Sequence, residues 1–156
     1  VKWKDDINVS TDNNVKLTIT TPVLEEIYVQ GSGNVKSTNK FTGGNELKIK
    51  ISGSGDVKLA VNTPKVSSSI SGSGNISLEG ETKENNIEIS GVGDYNASEL
   101  LAESASVKIS GSGNVKLHAD ANLNVKISGS GDVFYKGSPA ITESISGSGS
   151  IKQLNN

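Results

Sequence analysis

From residue 47 to residue 59 the chain reads LKIKISGSGDVKL, with Leu47, Ile49, Ile51, Val57 and Leu59 at alternate positions on either side of a Ser/Gly cluster. Polar residues fill the places between. A period of two belongs to an extended strand that turns one face to a core and the other to water. The alternation returns at 107–117 as VKISGSGNVKL. No long 3.6-residue period competes with it, and SELLAESAS at 98–106 is the one stretch with helical propensity.

A Ser/Gly cluster met once reads as a flexible linker, but this one recurs. The first glycine of each Gly-x-Gly stands at Gly31, Gly53, Gly72, Gly91, Gly111, Gly129 and Gly147, at intervals of 22, 19, 19, 20, 18 and 18 residues. Near-constant spacing over seven copies marks a structural repeat, which absorbs fourteen of the eighteen glycines. Two residues before that glycine come Val29, Ile51, Ile70, Ile89, Ile109, Ile127 and Ile145, and four after it come Val35, Val57, Ile76, Tyr95, Val115, Val133 and Ile151. Both motif glycines fall in phase with these columns. An extended chain therefore turns Gly53, Gly55, Gly72, Gly74, Gly111, Gly113, Gly129 and Gly131 inward, where a missing side chain admits close backbone approach or a bend. The motif predicts a kinked corner with a wall strand on each side.

A repeat of 18–20 residues is too small to bury its own apolar face and must stack on its neighbours. The expected fold is all-β: a right-handed parallel β-helix, or β-solenoid, with one GSG[ND] motif per turn and turns about 4.8 Å apart. One solenoid domain is expected over residues 1–156, with atypical opening strands or a cap over 1–30, seven repeats over 31–152 and a tail at 153–156. Two other arrangements fit the same residues. Two motifs could share one wide turn, or GSGN could be a hairpin loop in an antiparallel barrel or sandwich, with GETKENN and HADANLN as turns midway between motifs. Open solenoid edges recruit other chains, and the last edge is barely covered, so either a longer native chain or self-association through the ends is expected.

The residue after the second glycine alternates: Asn34, Asp56, Asn75, Asp94, Asn114, Asp132, and finally Ser150. Stacked one per turn, a pure Asp column would set like charges together, whereas intervening Asn can donate its amide hydrogens to the carboxylates above and below. A structural ladder is the expected role. Calcium is the functional alternative, but half the copies are neutral and the acid directly follows the glycine, unlike the nonapeptide calcium rolls.

Apolar residues make up 33% and aromatics 4%, so the interior is expected to be aliphatic and thin. Without cysteine there is no disulfide and no thiolate. All 15 cationic side chains are lysines, set against 17 acidic ones, and with no arginine fork a nucleic-acid partner is not expected. No run is long and apolar enough to span a membrane. A chain that starts at Val1 without a basic-then-apolar leader is expected to be a mature or trimmed product.

Little points to catalysis. His118 has no second His or Cys to complete a metal site, Ser67, Ser68 and Ser69 lack an evident base, and GVG at 91–93 is followed by no Gly-Lys-Ser/Thr. The carboxylates to consider are Asp5 with Asp6, Glu25 with Glu26, and the spaced Asp56, Asp94 and Asp132. A groove lined by Tyr95, Phe134 or Tyr135 with acids nearby would favour carbohydrate binding or processing. Lys108 and Lys126 are expected to neighbour each other on an outer wall, with Glu88 close by. No cofactor, catalytic residue or metal ligand is expected.

The repeated I-S-G-S-G-[DN]-[VI] and the closing FYKGSPAITESISGSGSI resemble the bacterial putative auto-transporter adhesin head domain, a family named for its GIN signature and of unknown function. The resemblance runs from about Thr21 to Ile151, and its C-terminal stretch is the most specific part. It implies a right-handed, β-helix-like domain that is exported, often lipid-anchored, and located at the cell surface, on the outer membrane or in the periplasm. Its partner would be a surface protein or glycan. Val92 departs from the family's GSG. The expected function is a non-enzymatic adhesin or structural module of the envelope.

Overall fold

The computed structural model describes residues 16–154. Among these, every regular element is a strand and every strand pairing is parallel. Trp3, Asp5, Asp6 and the first half of the expected opening segment, residues 1–15, lie outside the described residues.

Each coil enters a motif through one wall and leaves through another. The leading wall stacks β1 (Glu26–Gly31), β3 (Leu47–Gly53), β5 (Lys65–Ile70), the second half of β6 (Ile76–Ile89), the second half of β7 (Tyr95–Ile109), β9 (Asn122–Ile127) and β11 (Ala140–Ile145). The trailing wall stacks β2 (Val35–Thr42), β4 (Val57–Asn62), the first halves of β6 and β7, β8 (Val115–His118), β10 (Val133–Lys136) and β12 (Ile151–Gln153). The result is a parallel β-solenoid of about 7 turns.

Register gives the coil length. Val29 stands on Ile51, Ile51 on Ile70, Ile70 on Ile89, Ile89 on Ile109, Ile109 on Ile127 and Ile127 on Ile145, so each motif is stacked on the next one in sequence. A two-motif coil would skip every second copy, and an antiparallel barrel would have no parallel ladders. Both arrangements are excluded.

The two walls face each other across an aliphatic interior in which Ile49, Val61, Ile76, Ile89, Ile109, Leu117 and Val125 are wholly buried. Burial alternates strictly in β3, β4 and β9, as their period-two sequences require. Two segments depart from local propensity. GETKENN runs as strand inside β6, and SELLAESAS as strand inside β7. At these positions the coils on either side supply a ladder of backbone partners, and tertiary pairing overrides turn and helix preference. Gly80 takes positive φ (118°) at the bend in β6, where a Cβ would lie 2.0 Å from the Val61 carbonyl oxygen.

Candidate interaction surface

At each motif corner consecutive coils touch backbone to backbone. A Cβ on Gly53, Gly72, Gly111 or Gly129 would lie 2.1, 2.1, 2.0 and 2.1 Å from the carbonyl oxygen of the first glycine in the preceding motif. That carbonyl accepts a hydrogen bond from the next coil, as when Ser73 N–H donates to Gly53 O at 2.9 Å and Ser130 N–H to Gly111 O at 3.0 Å. The second glycine is excluded from carrying a side chain twice over: a Cβ on Gly74, Gly113 or Gly131 would meet both the equivalent glycine's carbonyl and the Cγ2 of Ile51, Ile89 or Ile109 in the coil before, and Gly55 meets Gly33 and Val29 in the same way. Gly55, Gly74, Gly113 and Gly131 are buried, whereas Gly53, Gly72, Gly111 and Gly129 are half-buried at the bend. The crowding that requires glycine thus comes along the stack, rather than across the interior as the phase of the sequence implied.

The Asn/Asp column does its bonding mainly through one atom. The Oδ1 of Asn34, Asp56, Asn75, Asp94, Asn114 and Asp132 each accepts the backbone N–H of the next member, at 3.0, 3.1, 3.0, 2.8, 3.1 and 2.8 Å, ending at Ser150. The reason lies in the corner: the carbonyl of each member is already turned to the coil before, so that Val57 N–H, for example, donates to Asn75 O. The next coil's N–H would be left without an acceptor, and a side-chain oxygen fills the gap. Asn and Asp both carry that oxygen. The amide donates in one direction only, from Asn75 to Asp56 (2.9 Å) and from Asn114 to Asp94 (3.2 Å), and not to the carboxylate of the following coil as well. Asp132 receives the Ser150 hydroxyl instead (2.7 Å). That hydroxyl, the Ser150 N–H and the Lys152 charge hold the Asp132 carboxyl below its ordinary value.

The outer face of the leading wall carries ion pairs between coils. Lys50 reaches Glu26 at 2.9 Å, Lys108 reaches Glu88 at 2.7 Å, and Lys65 lies between Glu46 (4.0 Å) and Glu84 (3.6 Å). Lys50 lowers the Glu26 pKa, and the Ser67 hydroxyl, backed by Lys48 and Lys65, lowers that of Glu46. A shallow groove of about 560 Å³ crosses this wall over Ser67, Ser69 and Ser106, bordered by Lys50, Glu88 and Lys108. Lys126 stands in register on Lys108. Tyr28, 58% exposed, bonds Ser52 Oγ through its hydroxyl at 3.1 Å beside this groove.

Other sequence candidates go elsewhere. Tyr95 is wholly buried and lines no groove. Its hydroxyl donates to Asn85 Oδ1 at 2.8 Å across the interior, and burial pushes its pKa up. Asn85 is a buried polar member of the column six residues before the glycine, where Glu25 is the other polar one and is exposed, and a reading that kept only the apolar members misses it. Small neighbours Ser68, Ala97 and Ala105 occupy core positions around the ring's coil, where the corresponding residues of other coils are larger. Phe134 and Tyr135 are half-buried on the trailing wall. His118 Nε2 lies 2.8 Å from Asp120 Oδ1, and among the described residues no three His, Cys, Asp or Glu side chains gather as metal ligands. Asp56, Asp94 and Asp132 are two coils apart, about 10 Å by the spacing of stacked strands. Val92, 60% exposed, breaks the outer serine column.

The model of the family described as "Putative auto-transporter adhesin, head GIN domain" matches residues 1–139. A solved structure of a putative lipid binding protein from Parabacteroides distasonis is 34% identical, with a TM-score of 0.81, covering 83% of this chain and 53% of its own. A putative adhesin from Bacteroides fragilis is 30% identical with a TM-score of 0.78 (86% of this chain, 62% of its own). Another from Parabacteroides distasonis is 29% identical at 0.76 (85% and 57%). The chain thus spans between about half and two thirds of the length of these structures. No curated protein matches it.

Proposed function

Because this chain belongs to the putative auto-transporter adhesin, head GIN domain family, we propose that it is an exported, surface-displayed β-solenoid that acts by presenting its outer walls to a protein or glycan, without catalysis. One observation carries the reading: the Asn/Asp column and the paired glutamates of the leading wall hold neighbouring coils together. The ladder Oδ1 atoms accept backbone N–H groups, and Glu26, Glu88 and Glu84 face lysines of neighbouring strands. What is left is a regular polar exterior suited to recognition. The adhesin descriptions of two solved relatives support the same role.

One relative is described as a putative lipid binding protein. In this chain the coil interior is filled by side chains such as Ile49, Val61 and Leu117, all at 0% exposure, so a lipid would have to be met on the outside. A calcium role draws no support from the ladder, whose Oδ1 atoms already accept hydrogen bonds and whose Asp members alternate with neutral Asn.

The reading is tested by treating intact cells with a membrane-impermeant biotin reagent and with external protease. Labelling and release of the protein are expected. Recovery of all of it, unlabelled, from the cytoplasmic fraction would contradict the proposal.

A further inference from the structure

Asn85, Tyr95 and Ser68 bring three polar side chains into the aliphatic interior, all of them buried. Tyr95 and Asn85 face each other across the coil of Gly91, and Ser68 comes from the coil of Gly72. The Tyr95 hydroxyl donates to Asn85 Oδ1 at 2.8 Å, which satisfies the amide oxygen but leaves its nitrogen. Asn85 Nδ2 has two hydrogens to donate and no partner in the protein, and Ser68 Oγ, able to donate and to accept, has none either. Ser68 and Asn85 both oppose the rise that burial gives the Tyr95 pKa, so both flank the phenol oxygen.

The side chains around this cluster are short. Ser68 stands between Ile49 and Ile87 in its column, Ala105 between Asn85 and Leu123, and Ala97 beside Leu117 of the next coil. The backbone ladders set the spacing of the coils, so the stack does not close over the missing side-chain atoms. The Tyr95 ring enters that region and brings its oxygen with it. A buried amide hydrogen without a partner is costly, and proteins meet that cost with ordered water where a polar site offers two or more hydrogen-bonding groups. We infer that this part of the core binds one water molecule, which accepts a hydrogen from Asn85 Nδ2 and bonds with Ser68 Oγ and the Tyr95 phenol oxygen. The water joins the coil of Gly72 to the coil of Gly91 from the inside, whatever the outer walls recognise. An apolar guest is rejected because it leaves Asn85 Nδ2 unpaired.

Two measurements on the full chain test this. A high-resolution crystal structure of the wild type is expected to show an ordered water within about 3.2 Å of both Asn85 Nδ2 and Ser68 Oγ. Chemical denaturation of Ser68→Ala, Asn85→Val and the double variant is expected to show coupling, the double variant departing from the additive result by more than about twofold in the folding equilibrium. Ser68 and Asn85 share no direct hydrogen bond, so the bridge supplies that coupling. The inference is overturned if the crystal structure shows Asn85 Nδ2 bonded directly to a protein acceptor, if it shows no water between the two groups, or if the two substitutions simply add.

Discussion

At the scale of single residues, the two glycines of a motif are set by contacts from the coil before. A methyl group at Gly113 would sit 2.1 Å from the Gly93 carbonyl oxygen and 3.0 Å from Ile89 Cγ2, whereas at Gly33 nothing lies within 4 Å. Gly113→Ala should cost at least about 2 kcal/mol, the ordinary scale of core overpacking, and Gly33→Ala less than about 0.5 kcal/mol, as for an open surface position. Chemical denaturation of the two variants compares them directly, and equal stabilities would refute the crowding explanation. Sequence phase showed that these glycines belong with the core positions, but the contact that excludes a side chain is made by another coil and appears only once the coils are stacked. Asn85 and Tyr95 illustrate the same limit. Each departs from the aliphatic character of its column, and their hydrogen bond joins opposite walls of a single coil.

At the scale of elements, adjacent strands are joined by the backbone ladder and, outside it, by rungs that depend on ionised carboxylates. Asp132 is held by Ser150, Glu46 by Ser67 and Glu26 by Lys50, and each of these carboxyls has its pKa lowered in the fold. A lowered folded pKa means that the stabilisation is present above the unfolded value and disappears as pH falls through the folded one. The melting temperature should therefore hold steady from pH 7 to about 5 and fall progressively below it, as unfolded carboxylates with pKa values of about 4 take up protons. Ser150→Ala removes the hydroxyl donor to Asp132 and should lower the melting temperature at pH 7 more than at pH 3. An equal loss at both values would contradict the sign of the linkage. The walls themselves were legible from alternation and column identity, because burial on one face imposes a period of two. The continuity of β6 through GETKENN and of β7 through SELLAESAS was not, because local preference there is opposed by neighbouring coils.

At the scale of the whole molecule, a stack of parallel coils makes nearly all its contacts between nearest neighbours, so its stability is approximately a sum over coils and their interfaces. The constant spacing of the GxG copies is the sequence trace of that arrangement, since stacking like on like requires each coil to return to the same corner. The outer surface was legible in part: Lys108 does stand beside Lys126 and meet Glu88, but the pairing of Lys50 with Glu26 and the place of Lys65 between Glu46 and Glu84 depend on register between turns, which a list of spacings leaves open. The central claim is that each motif marks one coil, so that Lys58 lies beside Ser77 on the trailing wall, with Asn96 one coil further on. The chain has no native cysteine, so paired cysteines can read this distance, because a disulfide closes only across Cα separations of about 4.4–6.8 Å. Under mild oxidation, Lys58→Cys with Ser77→Cys should form an intramolecular disulfide in the folded protein, and Lys58→Cys with Asn96→Cys should not. Crosslinking of the second pair but not the first would contradict the account.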